Sequence, residues 1–287
     1  MTESTANSES RVWFITGTST GFGRELAEEV LEHGDRVVAT ARDTDQVQEF
    51  EDNYPERARA VRLDVTDPEE VRAAVGAATD AFGRIDVLVN NAGYGYLGAV
   101  EEVEDEEIRR QFEVNLFGLL DVTRAVLPQM RSQRSGHIVN ISSVGGFVGL
   151  PGFGIYNSTK FAVEGVSEAL AAEVEPLGIH LTIVEPGPFR TDWAGRSLSS
   201  APEIEDYAET AGSTREYIAE ENGAQEGDPR LAARAMIKAV EDDEPPLRLP
   251  LGQDALDMIR EKLDSVRQET DAWEKTTVET SFEHRES

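Results

Sequence analysis

The 287-residue sequence contains no cysteine, which excludes disulfides, thiolate metal ligands and a catalytic thiol together. Its four histidines are widely scattered and offer no metal cluster. Positive charge is also short: 27 Lys and Arg stand against 56 Asp and Glu, a formal net charge of -29. Binding to nucleic acid or to an anionic membrane is therefore electrostatically disfavoured. Lysine is the scarcer base, with 4 Lys against 23 Arg. An acidic, lysine-poor surface points to a halophilic, salt-adapted protein, because at ~1 M salt the Debye length of ~3 Å screens such self-repulsion. An ordinary acidic enzyme is the alternative. An uncharged stretch, residues 138–156, has the length of a membrane span but holds five glycines, Pro151, Asn140, Ser142 and Ser143. It reads instead as strand, polar loop and helix start. The first ten residues are polar and acidic with no apolar centre, unlike a signal peptide. The expected location is the cytoplasm.

What the sequence does contain is alternation. Short apolar runs near 12–16, 36–41, 59–64, 85–90, 137–142, 179–184 and 246–250 are separated by helix-like stretches, which predicts a doubly wound, seven-stranded parallel sheet in three layers. No glycine- or proline-rich linker divides the chain. Residues 1–10 are expected to be a disordered tail, 11–268 a single domain and 269–287 a polar C-terminal tail. Residues 187–228 are too long for a structureless loop and are expected to form a partly helical lid over the substrate.

Two local patterns carry chemistry. After the apolar run Val12 to Ile15 comes Thr16-Gly17-Thr18-Ser19-Thr20-Gly21-Phe22-Gly23, and then a helix-like stretch. Glycines at 17, 21 and 23 allow a tight turn and a close backbone approach to a pyrophosphate at a helix N-terminus. Their spacing, G-x-x-x-G-x-G, differs from the commoner dinucleotide pattern G-x-G-x-x-G. Further along, Tyr156 and Lys160 lie four residues apart and Ser143 thirteen residues before the tyrosine. On a helix, Tyr156 and Lys160 share a face. An unperturbed phenol titrates near ~10, and a neighbouring ammonium favours the phenolate, so Lys160 is expected to draw Tyr156 towards working pH. The Ser143 hydroxyl would converge with the phenol on one substrate oxygen, which suits a carbonyl becoming an alkoxide. Ser142 is the rival serine.

The two motifs, T-G-x-x-x-G-x-G and Y-x-x-x-K, resemble those of the short-chain dehydrogenases/reductases (SDRs), and the resemblance runs from about residue 12 to 251. It includes Asp64-Val65 as an adenine contact, Asn90-Asn91-Ala92-Gly93 as the family's N-N-A-G turn and Asn115 as its catalytic asparagine. It also includes Pro186-Gly187 with Phe189 and Thr191 as the segment over the nicotinamide. The resemblance implies a Rossmann-type fold and hydride transfer between a nicotinamide cofactor and a carbonyl or alcohol. Tyr156 would be the general acid/base and Ser143 would polarise the substrate. Lys160 would also bind the nicotinamide ribose, and Asn115 would hold a water in the proton path. Gly17, Thr18, Ser19, Gly21, Phe22 and Gly23 would hold the phosphates. Thr40-Ala41-Arg42 with Asn91 to Gly95 resembles the hydroxysteroid and retinol dehydrogenase branch.

Arg42 follows the second strand, where an NAD-binding sheet would offer a carboxylate to the ribose 2′-hydroxyl. A guanidinium suits a 2′-phosphate, so NADP(H) is expected, with NAD(H) the alternative because Asp43 follows and position 20 is threonine. Tyr94, Tyr96, Leu97, Phe147, Val148, Leu150, Phe153, Phe189 and Trp193 predict an apolar pocket for a small carbonyl or alcohol. A catalytically silent nucleotide-binding regulator on the same fold is the other class of reading, and retention of all four catalytic residues weighs against it. Epimerase-type relatives differ in loop spacing. Two apolar stripes on residues 104–130, one of Ile108, Phe112, Leu119, Val122 and Val126 and one of Leu116, Leu120 and Leu127, predict a homodimer or homotetramer.

Overall fold

A computed structural model describes residues 10–282. All but Ser10 of the expected N-terminal tail, and the last five residues of the expected C-terminal one, lie outside the described residues. Among the described residues nine strands are formed: β1 (Val12–Ile15), β2 (Arg36–Ala41), β3 (Ala58–Arg62), β4 (Val87–Asn90), β5 (Gly95–Leu97), β6 (Gly136–Ile141), β7 (Ile179–Pro186), β8 (Leu198–Ser200) and β9 (Arg248–Leu251). Seven of them make one parallel sheet in the order β3-β2-β1-β4-β6-β7-β9. This is the expected Rossmann-type sheet, with helices on both faces. The small parallel pair β5–β8 was not expected, because three-residue strands leave no periodic signal.

The strands are apolar along their length because both faces are covered. Trp13, Ile15, Val37, Ala39, Val87, Val89 and Val139 pack on one side with Leu26, Val30, Ala233 and Met236, from the Gly21–His33 and Pro229–Glu241 helices. Val12, Phe14, Val38, Leu88, Ile138 and Ile183 pack on the other with Val71, Ala74, Val122 and Val126, from the Pro68–Phe82 and Leu119–Gln133 helices. Each fully buried Val, Leu, Ile or Phe contributes about 1.5–3 kcal/mol by leaving water.

β1 has β2 on one side and β4 on the other, so the chain winds outward in both directions from that point. The crevice at the C-terminal ends of β1 and β4 is where such sheets bind ligands. Helical structure is continuous from Asp105 to Gln133, but Glu113–Gly118 is a π-helical turn. The insertion 187–228 carries the short Trp193–Arg196 helix, β8 and the Ser213–Glu221 helix.

The helix Gln253–Ala272 continues past residue 269, where the polar tail was expected to begin. Ala255 and Ile259 anchor its first turns on Val144, and from Leu263 to Phe282 every residue is exposed. Helical order there follows from continuation of an anchored helix, a propagation effect that polar composition does not reveal. Among the described residues no helix is long and apolar enough to cross a membrane.

Candidate active site

The loop after β1 is built around backbone shapes that a side chain would forbid. Gly17 and Gly21 sit at φ +70 and +59, the left-handed region that glycine adopts without strain. A Cβ at Gly23 would lie 2.4 Å from both Asn91 Nδ2 and the Gly17 carbonyl oxygen. Asn91 holds the loop from the neighbouring strand, its Nδ2 donating to the carbonyls of Thr16 (2.8 Å) and Gly17 (2.9 Å). The amides of Asn91 and Ala92 both donate to Thr16 Oγ1 at 2.9 Å. Thr18 is buried and ties the loop to β2 through Thr40, its amide donating at 2.9 Å and its hydroxyl at 3.1 Å.

Gly21 and Phe22, at the first turn of the Gly21–His33 helix, border a cavity of about 1650 Å³. Bare glycine backbone against an open helix N-terminus fits a pyrophosphate. Gly17, Ser19, Arg42, Asp64, Val65, Asn91, Ala92, Gly93, Pro186, Gly187, Phe189 and Thr191 line the same cavity. Thr18 and Gly23 do not; they shape the loop from behind. At the adenosine end, the Asp43 carboxylate caps its own turn, accepting from Asp45 N (3.2 Å) and Gln46 Nε2 (3.3 Å). Asp64 accepts from Thr66 N (3.0 Å) and Oγ1 (2.7 Å). Burial opposes ionisation of Asp64, yet these hydrogen bonds, with Arg42 and Arg62 nearby, hold its carboxyl below its ordinary value.

Ser143, Tyr156 and Lys160 line the cavity beside this nucleotide cradle. Ser143 lies two residues beyond β6 and its Oγ accepts from Gly145 N at 3.0 Å. Tyr156 and Lys160 both lie on the buried side of the Gly154–Val174 helix, as their spacing required. Burial pushes the Tyr156 phenol up to about 12, and the Ser143 hydroxyl works against that rise. Burial also pulls Lys160 down to about 8, and Glu164 resists it. Lys160 Nζ donates to the Ile141 carbonyl at 2.8 Å and stands 5.8 Å from the centre of the tyrosine ring. Burial, which penalises the phenolate, dominates the phenol's environment, and no lowering by Lys160 is found.

Asn115 sits on the π-helical turn and does not line the cavity. Its Nδ2 donates to the Tyr94 carbonyl (2.9 Å) and Thr159 Oγ1 (3.1 Å), and its Oδ1 accepts from Tyr94 N (3.0 Å). The carboxamide thus joins the loop after β4 to the tyrosine helix, using both amide hydrogens and one oxygen lone pair. A residue that the sequence reading missed, Asn157, plays a comparable part. It donates to the Gly145 carbonyl and accepts from Leu150 N, each at 2.9 Å, which fixes the serine loop on the tyrosine helix. Its place inside Tyr156-Asn157-Ser158-Thr159-Lys160 was the available signal.

At the substrate end, Tyr94, Tyr96, Leu150, Phe153, Phe189 and Trp193 line the cavity as expected. Leu97, Phe147 and Val148 do not. Leu97 is buried beneath Phe153 and Tyr156, and Phe147 and Val148 cover Val144, Ala255 and Ile259. Thr214, Tyr217 and Ile218 reach the wall from the insertion, and only the fold brings them there. The Trp193 ring lies 5.5 Å from that of Tyr156 and 6.1 Å from that of Phe153. The Tyr94 hydroxyl donates to Glu107 at 2.6 Å, which makes this wall partly polar. No cluster of metal-ligating side chains occurs among the described residues.

Residues 11–201 match the family model described as short chain dehydrogenase. The chain belongs to that family. An oxidoreductase of Botryotinia fuckeliana is 41% identical to this dehydrogenase over 93% of this chain and 98% of its own. A 3-ketodihydrosphingosine reductase of Bacteroides thetaiotaomicron is 40% identical over 84% and 88%. Among solved structures, a short-chain dehydrogenase from Streptomyces avermitilis superposes with a TM-score of 0.90 at 46% identity, covering 95% of this chain and 100% of that one. A Burkholderia phymatum member in complex with NAD gives 0.80 at 25% identity, covering 91% and 95%. ElxO with NADP bound gives 0.72 at 26%, covering 86% and 99%. This short-chain dehydrogenase is therefore an oxidoreductase acting between alcohol and carbonyl with a nicotinamide cofactor.

Proposed function

We propose that the enzyme interconverts an apolar ketone or aldehyde and its alcohol with NADP(H), Tyr156 exchanging the proton. The observation that carries this reading is that Ser143 and Tyr156 line one aromatic-walled cavity together, with the buried Lys160 one turn further along the tyrosine helix. The bound nicotinamide supplies or accepts the hydride. Ser143 and Tyr156 direct two donors at one substrate oxygen, stabilising the charge that grows there as the carbonyl becomes an alkoxide. With its phenol held up near about 12, Tyr156 stays protonated at neutral pH and can give its proton to that oxygen in reduction. Lys160 adds positive charge near the phenolate left behind. Trp193 and Phe153 exclude water from the reacting face and favour a flat or extended apolar substrate. A steroid, a retinoid or a long-chain 3-keto lipid fits this description. The steroid and retinoid reading rests on the branch resemblance of Thr40-Ala41-Arg42, and the lipid reading on the Bacteroides relative.

The NADP(H) preference rests on Arg42, exposed at the end of β2 and lining the cavity, with the Asp43 carboxylate committed to its own turn. The reading is tested by assaying carbonyl reduction across steroid, retinoid and 3-keto lipid substrates with NADPH and NADH, in the wild type and in Tyr156→Phe. NADPH-linked turnover that vanishes in Tyr156→Phe, with cofactor binding intact, is expected. Near-normal turnover in that variant would overturn the mechanism.

A further inference from the structure

Behind Lys160, on the side away from the cavity, lies a buried charge cluster that the reaction as described does not use. Glu164 follows Lys160 by one helical turn and is 6% exposed, and Glu185, on β7, is 1% exposed. Both carboxylates receive the same nitrogen of Arg248 from β9: Nη1 donates to Glu164 Oε2 and, at 3.0 Å, to Glu185 Oε1. The second arm of that guanidinium reaches the more exposed Glu168 at 3.0 Å, and its face rests on the Phe147 ring. One cation thus serves two buried carboxylates. Their outer oxygens, Glu164 Oε1 and Glu185 Oε2, have no hydrogen-bond partner, nor has Ser142 Oγ. Ser142 Oγ and Glu164 Oε1 nevertheless crowd one spot, 2.5 and 3.1 Å from where a Cβ on Gly146 would stand.

Two ionised carboxylates cannot share so dry a site, and the usual resolution is that one of them keeps a proton. Burial and the neighbouring Glu164 push Glu185 up to about 7. Burial raises Glu164 as well, but Ser142, Arg248 and Lys160 all work to keep it ionised. Glu164 has two cations beside it, Arg248 and, one helical turn away, Lys160, whereas Glu185 shares only Arg248, so the charge falls to Glu164 and the proton to Glu185. Lys160 needs that charge, since it is buried, its one hydrogen bond goes to a neutral carbonyl, and Glu164 is the group that supports its ammonium form.

We propose that Glu164, clamped by Arg248 and relieved by a proton on Glu185, is the positioning residue that keeps Lys160 charged beside Tyr156. Its consequence for catalysis rests on the function proposed above; the charge state itself does not. The groups facing Lys160 and Glu164 are Glu168 on their own helix, Ser142 after β6, Glu185 on β7 and Arg248 on β9. Removing a negative charge makes every nearby proton easier to lose, so loss of Glu164 lowers the titration point of Lys160, and with it the high-pH limit of carbonyl reduction.

The chain has only the lysines 160, 238, 262 and 275, which permits a direct measurement on the intact protein without cofactor or substrate. The ε-carbons of 13C-lysine-labelled enzyme are titrated by NMR, and Lys160 is assigned from Lys160→Arg. The wild-type midpoint is expected near about 8. In Glu164→Gln it should fall by roughly one unit or more, the usual effect of losing a close opposite charge. Glu164→Asp, which keeps the charge, should return it most of the way, and Glu168→Gln should leave it in place. Glu185→Gln, which mimics the protonated carboxyl, should leave it in place, and Glu164→Ala serves if Glu164→Gln does not fold. An unchanged midpoint in a folded Glu164→Gln or Glu164→Ala protein would overturn the proposal. So would equal shifts in Glu164→Gln and Glu164→Asp. Because no turnover is read, failure here is separate from failure of the proposed reaction, which the Tyr156→Phe assay decides.

Discussion

His137 makes the stability of this fold depend on pH in a way that can be calculated and isolated. It lies on β6 opposite His180 on β7, at the end of the sheet away from Ser143 and Tyr156, and is 5% exposed. Its Nε2 meets Thr182 Oγ1 at 2.9 Å, and that hydroxyl already donates to the Pro246 carbonyl at 2.8 Å. The hydroxyl hydrogen is thus committed, so Nε2 carries the imidazole proton and Nδ1 is bare. Protonating Nδ1 would place a charge in the sheet beside His180 and Arg11. Burial, with those two groups adding to it, depresses His137 from 6.5 to about 3. A base whose folded pKa is depressed binds more protons when unfolded, so its contribution is intact above 6.5 and is lost as pH falls towards 3. The loss is ~1.36 kcal/mol per pH unit once well below 6.5, or about 2 kcal/mol between pH 7 and pH 5. In a chain of this size that is a fall of roughly 4–8 °C in melting temperature. Glu185 acts in the opposite sense. Its raised folded pKa stabilises the protein at low pH, and that gain fades between 4.5 and about 7, so the measurement must be a difference. His137→Gln keeps a donor for Thr182 but cannot titrate. Denaturant unfolding of both proteins at pH 7 and pH 5 should show the wild type losing about 2 kcal/mol more than the variant. Parallel losses would refute the reasoning, because they would mean that His137 already pays no penalty for its charge in the folded state.

Gly23→Ala should abolish nucleotide binding, since its Cβ would strike Asn91 Nδ2 and the Gly17 carbonyl at 2.4 Å; cofactor titration near wild-type affinity would remove Gly23 from the loop's design. Arg42→Ala should weaken NADP(H) by about 1.5–3 kcal/mol, the range for a hydrogen bond to a charged group, and barely affect NAD(H). Equal losses for both cofactors would leave Arg42 with a supporting role only. The net charge of -29 should make the melting temperature rise steeply from low to molar salt, and a flat series would assign the acidic surface no such role. Phe117 and Phe161 are 48% and 45% exposed on the long helix and the tyrosine helix, so light scattering in high salt should find a dimer or tetramer. A monomer at micromolar concentration would defeat that expectation.

The sequence by itself determined the sheet and the order of its chemistry, because both are written in local patterns. Apolar strand runs alternate with helical periodicity, the glycines of residues 17–23 permit only one kind of turn, and a four-residue spacing puts Tyr156 and Lys160 on one helical face whatever surrounds them. Tertiary structure decided what those groups experience. Burial depth cannot be read from neighbours in sequence, so the phenol that was expected to be lowered by Lys160 is instead raised, and Asn115 is occupied by backbone groups from another segment. Leu97, Phe147 and Val148 are as apolar as Phe153 and Trp193, yet only the packing of β5 and of the C-terminal helix takes them out of the pocket wall. The Arg248 cluster was invisible for the same reason. Glu164, Glu185 and Arg248 are 21 and 63 positions apart in the chain, and only the parallel pairing of β7 with β9, beneath the tyrosine helix, gives two buried carboxylates one guanidinium to share.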